Sequence, residues 1–392
     1  MYISDKGYKM SSYSKVFATC LILLTGVGIA ADVDQVMKVD RVANQWIVHS
    51  GRPLYYATEG THYSISNQAT QAMNYYLPDA VMSLSPTAEY SLLSQLEPME
   101  QVRDNKRYSN FLVLDQDGEM VYKITKGNGV DLKPHVAAVS DQGVLALVDP
   151  ISAKIFLYQA GELLIETQLY ATEGDYSLER KVRVQWADNR CHVLIERPSP
   201  NGGSPENVLF ISIDAEGKNQ HTAIMPFTYL QKILFSQDGL FMSGYSYDPK
   251  LSEMQPLIIQ TAPNGEILWT NEHFGHELAL SEDGSYLAAR SGHDLIYVFD
   301  LGEQRIQEIK FAREGKAALG LSVNSDGEVA LIRVSNDFFV KRDSHYAEVF
   351  FPQSMQTVDV QLNPNSPGMF QLYSTDNNFF LGTKHEWLEI SK

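Results

Sequence analysis

Four segments of this chain share one design, in which a Ser-x-Asp-Gly turn or a near variant separates two short apolar runs. They read VSDQGVLALV around Gly143, FSQDGLFMSG around Gly239, LSEDGSYLAA around Gly284 and VNSDGEVALI around Gly327. Weaker copies sit at Thr87–Glu89, Asp188–Asn189 and Pro367–Gly368. From Gly143 onward the spacing between successive turns is about 41 to 50 residues, the span of one four-stranded repeat unit. A chain with this period repeats a single supersecondary element, and that restricts its fold more than any other feature of the sequence.

A second set of turns falls roughly midway between the first. FLVLDQDGEMVYKI (111–124), KIFLYQAGELLIETQL (154–169), VLFISIDAEGKNQHTAIM (208–225), LIIQTAPNGEILWTNE (257–272) and LIYVFDLGEQRIQEIKF (295–311) each read as a hairpin. Asn-Gly and Asp-Gly suit such loops because tight hairpins need positive φ, which Gly, Asn and Asp tolerate. Helical periodicity is almost absent, and period-2 alternation dominates. Two hairpins per period give four strands per unit, and seven units can be placed, at about 76–130, 131–176, 177–226, 227–273, 274–314, 315–353 and 354–392. A flat sheet of so many strands would expose two edges and over-twist, so radial closure is the expected solution. The expectation is therefore an all-β fold, a β-propeller of seven four-stranded blades over 76–392, with six or eight blades as the alternatives because the first and last units are the least regular. Residues 31–75 do not repeat the pattern. QWIVHS and PLYYATE suggest two strands there, an N-terminal β extension serving as a closing strand or a cap.

On these hairpins, and on NGEILWTN (264–271), the chain resembles WD-repeat-like and quinoprotein-like β-propellers of bacterial exported proteins. True WD repeats carry Gly-His early and Trp-Asp late in each blade. Here Gly275-His276 and Val298-Phe299-Asp300 give only a partial match.

The first 30 residues differ in kind. Lys6, Lys9 and Lys15 precede the uncharged run VFATCLILLTGVGIAA, which ends in small residues at Gly28 and Ala30. A basic start, a short apolar stretch and a small-residue end describe a secretory signal peptide over 1–30, with Met1 or Met10 as the start. The run is short for a membrane span, although an uncleaved inner-membrane anchor is the alternative. Thr19 before Cys20, and apolar residues after it, do not fit a lipoprotein site. A periplasmic or secreted location is expected. Without Cys20 the chain keeps only Cys191, so no internal disulfide is available, and Cys191 reads as a small core residue in the alternating strand CHVLIE.

Charge narrows the partners. A net charge of −17 disfavours nucleic acid, which needs cations against phosphate, and disfavours an anionic lipid surface. Asp115-Gln116-Asp117-Gly118-Glu119 imitates the start of a calcium loop, but the bidentate Glu that such a loop requires is missing and the flanks are strands. HFGHE (273–277) has two histidines and a carboxylate, short of a full zinc set. His135, His192, His221, His293, His345 and His385 are scattered along the units. No GxSxG elbow, phosphate loop or GxGxxG opening a helix is present, and GNGVD (127–131) reads as an inter-unit turn. The sequence thus designates no catalytic, cofactor-binding or metal-binding residue and implies no cofactor. The expected role is a non-catalytic exported propeller that binds a protein or cell-envelope partner through one face or the central funnel. Loops 97–109, 196–207 and 246–256 are the candidates for a partner surface. The alternative is a propeller enzyme of lactonase, glycosidase or dehydrogenase type with a funnel-centred site.

Overall fold

The structure, a computed structural model, describes residues 33–390 apart from connecting segments, of which 97–108, 125–135, 170–180, 198–205, 336–345 and 362–369 are the longest. Side chains are described from Ser83 onward, and the expected signal segment lies outside the described residues. The described elements are all strands, arranged in eight antiparallel four-stranded sheets. Sheets 2 to 7 begin at Ala80, Val136, Lys181, Tyr229, Glu277 and Lys316, and within each the strands pair in simple sequence order. Contacts between sheets are made largely by their first strands, so these strands surround the central axis.

All seven units expected from the turn spacing are present as sheets, and residues 43–76 add an eighth. This added sheet 1 runs from Ala43–His49 to Met73–Tyr76. Its first two hairpins are closed by the pairs His49↔Arg52 and Glu59↔His62, each leaving two residues between strands. Neither carries the Ser-x-Asp-Gly signature, so the period did not reveal it. Sheet 8 contains Gln371–Ser374, Phe379–Gly382 and Glu386–Ile390, and takes its outer strand from the other end of the chain, Val33–Lys38. Val33 pairs with Ile390 and Lys38 with Glu386. The N-terminal extension therefore supplies a closing strand and a whole sheet, where a closing strand or a cap was expected. One boundary also moves. Gln356–Gln361 is the outer strand of sheet 7, and the turn before it is made by Met355 at φ 57, with no glycine to mark it.

The core lies between sheets. One cluster joins Ala146, Val148 and Leu157 of sheet 3 to Trp186, Val193 and Ile211 of sheet 4, and equivalent clusters bridge each neighbouring pair from sheet 2 to sheet 8. Because both faces of the middle strands meet a neighbour, apolar residues run consecutively in them, as in Leu145–Val148 of the wholly buried Leu145–Asp149. Cys191 lies in the same core with no exposure, as its strand position suggested, and burial pushes its thiol up, away from the reactive thiolate.

The turns are built alike. In sheet 3 the Ser140 amide donates to the Val144 carbonyl and the Gly143 amide donates to the Ser140 carbonyl, closing a three-residue loop with Gly143 at φ 71. The Ser140 hydroxyl accepts the Val144 amide at 3.0 Å. Ser85 and Ser281 do the same for Tyr90 and Tyr286, while Asn324 serves Glu328. This is the physical reason for serine at the head of the motif: its side chain satisfies an amide that the loop would otherwise strand.

A cavity ringed by the repeated turns

The Ser-x-Asp-Gly turns join first to second strands, so they share one face of the ring. There they surround a central cavity of about 670 Å³ bounded by five consecutive sheets. Sheet 2 gives Pro86 and Thr87, sheet 3 Asp141, sheet 4 Gln185–Asn189, sheet 5 Leu234–Ser236 and sheet 6 Leu280–Gly284. The floor is apolar, with Trp186, Leu234, Phe235, Phe241 and Leu280. Trp186 is held there by its indole N–H, 3.3 Å from the Ala138 carbonyl of the preceding sheet. Among the described residues four carboxylates line the mouth, Asp141, Asp188, Glu282 and Asp283, and none of the lining residues is Lys, Arg or His.

Hydrogen bonds tie the turns together from sheet to sheet. The Thr87 amide donates to Asp141 Oδ1 at 2.8 Å, and the Gln142 side-chain amide donates to Asn189. Further round, the Ser325 amide and hydroxyl donate to Asp376 at 3.2 and 3.0 Å. Asp283 accepts from the hydroxyls of Ser281 and Ser285 at 2.7 and 2.8 Å and from the Ser285 amide at 3.1 Å. Partial desolvation is the largest single influence on its carboxyl and acts upward. The bonds from Ser281, Ser285 and Ser325 together outweigh it and bring the pKa down to about 2. The mouth is thus a linked polar rim on an apolar base.

The candidate residues of the sequence fall elsewhere. Asp115 closes its own hairpin, its carboxylate accepting the Glu119 amide at 2.8 Å. In HFGHE, His273 bonds Asn271 and packs edge-on against Tyr297 with ring centres 4.1 Å apart, while Glu277 pairs with Arg290 at 3.0 Å. Among the described residues no three His, Cys, Asp or Glu gather as a metal site. His192 is buried against Phe210, ring centres 5.5 Å apart, with Nε2 3.3 Å from the Ala187 carbonyl. Loops 97–109 and 196–207 connect second to third strands, whose described ends lie on the face opposite the cavity, and the loops themselves are largely outside the described residues. Loop 246–256 is a correction: Ser246↔Gln255, Tyr247↔Met254 and Asp248↔Glu253 are strand pairs, so the segment is a long hairpin that continues sheet 5 on that face. Polar composition suggested a loop there, but the strands simply run further than their apolar part. The same face of sheet 7 carries a buried ion pair, Arg333 with Glu348, joined by Lys316, with Arg333 stacked 3.6 Å above Phe350.

The turns themselves were legible as hairpins, yet their convergence was not. Nothing in a linear motif says that five copies meet around one opening.

The fold and its axial cavity define a β-propeller. No protein-family model and no curated protein matches the chain. Among solved structures it is similar to the C-terminal WD40 domain of Sif2, with a TM-score of 0.53 and 12% identity over 93% of this chain and 99% of that one. It is similar also to BamB from Moraxella catarrhalis, with a TM-score of 0.52 and 12% identity over 92% of this chain and the whole of the other. At this identity the likeness concerns the fold. No helix among the described residues is long and apolar enough to cross a membrane.

Proposed function

We propose that the protein is an exported, non-catalytic β-propeller that binds a partner protein at the mouth of its axial cavity. The observation that carries this reading is the cavity itself, an apolar floor inside a polar rim, built from turns of five sheets and sized like a pocket that buries a ligand. A rigid scaffold presenting adaptable rim positions is the arrangement that recognition sites share. The signal-like segment before Asp32 supports a periplasmic or secreted setting for that binding.

The test places a photo-crosslinking residue at Thr87 or Glu282, on the rim in sheets 2 and 6, or at Met254, exposed on the opposite face. Capture of the same protein from both rim positions and not from Met254 is expected. Capture from Met254 alone would move the binding surface to the other face and end this reading. Sequencing the mature N-terminus checks export, with cleavage near Ala30 as the expected result.

A further inference from the structure

The mouth is one-sided in charge as well as in shape. Of its four carboxylates, Asp141 gives one oxygen to the Thr87 amide and Asp283 is engaged by two serines. Asp188 and Glu282 have no hydrogen bond or ion pair among the described residues, and both are exposed at the rim. Their charge is therefore not neutralised from within the ring. An anion would meet four carboxylates at the rim, with no cation among the described lining residues. A wholly apolar occupant would strip water from those carboxylates without replacing it. The floor, in contrast, offers the half-buried Leu234, Phe235 and Leu280 to an apolar side chain, with Trp186 and Phe241 buried behind them.

Resting on the binding role above, we infer that the cavity receives a short extended partner segment in which arginine or lysine flanks large apolar residues. The apolar side chains enter toward Leu234, Phe235 and Leu280, and the cation stays at the rim between Asp188 and Glu282. Arg is favoured there because its planar fork can bond two carboxylate oxygens at once.

The experiment uses capped hexapeptides alternating arginine with leucine, against a matched set alternating glutamate with leucine, titrated into the folded protein by fluorescence anisotropy. Saturable binding of the arginine set alone is expected, weakening as salt is raised. The double variant Asp188→Asn, Glu282→Gln is expected to lose affinity about tenfold or more. These changes keep side-chain size, and Asn tolerates the positive φ of 48 that Asp188 adopts. Neutralising Glu303 and Glu308, on the outer edge of sheet 6, is the control for diffuse attraction by an acidic protein. An equal loss in that control, or no saturable binding by the arginine set, overturns the inference. If a crosslinker at Thr87 still captures its partner in the double variant as efficiently as before, binding at the mouth stands and the cationic segment falls.

Discussion

Gly327, in the turn of sheet 7, lies against the ring of Tyr286 in sheet 6, so closely that a Cβ at this position would come within 2.7 Å of it. Gly143 repeats the relationship with Tyr90, at 3.0 Å. In the second class of turn, Gly265 faces Phe210 of the preceding sheet at 2.6 Å. The glycine thus has two duties, adopting positive φ and letting the neighbouring sheet approach. Gly284 separates them, because it has φ 74 like Gly327 but nothing within 4 Å of its missing Cβ. Gly284→Ala is expected to cost only the backbone penalty, about 1–2 kcal/mol. Gly327→Ala adds displacement of the Tyr286 ring, roughly a further 1 kcal/mol or more. Urea midpoints of the two variants test this, and equal losses would show that the ring yields freely.

Tyr122 makes a different bridge between sheets. Its hydroxyl donates to the Gly143 carbonyl at 2.8 Å and lies 3.2 Å from the Tyr158 carbonyl, all in buried surroundings. Burial pushes the phenol well above its ordinary pKa, so it stays a donor at any working pH. Tyr122→Phe keeps the apolar packing but leaves the Gly143 carbonyl without that donor, and is expected to cost about 1–2 kcal/mol. Denaturant unfolding measures it, and an unchanged midpoint would mean that water takes the place of the hydroxyl.

Much of this architecture was readable because it depends on local chemistry. Ser140, Asp141 and Gly143 encode their turn through a hydroxyl acceptor and a left-handed residue, and both requirements are visible in the letters. Sheet 1 escaped because its tight hairpins, closed at His49↔Arg52 and Glu59↔His62, use other residues. The closing pair Val33↔Ile390 spans the whole chain and has no local signal at all. The cavity was hidden for a related reason. Trp186 and Phe235 look like ordinary strand residues, and only the curvature of the ring turns them toward a shared space.

His192 predicts how the molecule responds to mild acid. Desolvation is the main influence on its imidazole and lowers the pKa; the bond to Ala187 opposes this, Arg190 adds to it, and the result is about 4 against an ordinary 6.5. The unfolded chain therefore binds a proton between pH 6.5 and about 4 that the folded protein refuses. Stability must fall as pH drops through that window, by an amount on the order of 3 kcal/mol when complete. His192→Gln removes the titration. It is expected to flatten the pH dependence of the urea midpoint in this range, whatever its effect at pH 7, and an unchanged slope would reject the assignment.

Asp283 acts at lower pH and with the opposite thermodynamic origin. Its carboxyl, ordinarily near 3.8, is held at about 2 by Ser281, Ser285 and Ser325, so the folded protein favours the ionised form. The stabilisation is complete above the unfolded value and is lost as pH falls through the folded one. Asp283 is nearly open to solvent, so screening keeps the effect small and high salt should reduce it further. Asp283→Asn is thus expected to be modestly less stable than the parent at pH 6, and this gap should close as pH falls from about 4 toward 2. Paired urea titrations across that range provide the measurement, and a gap independent of pH would show that the serines hold the side chain by shape and not by charge. With the ordinary value or the lowered one, this carboxylate is charged at the mouth throughout the physiological range. A cationic occupant would therefore meet an ionised Asp283 at any pH well above 2.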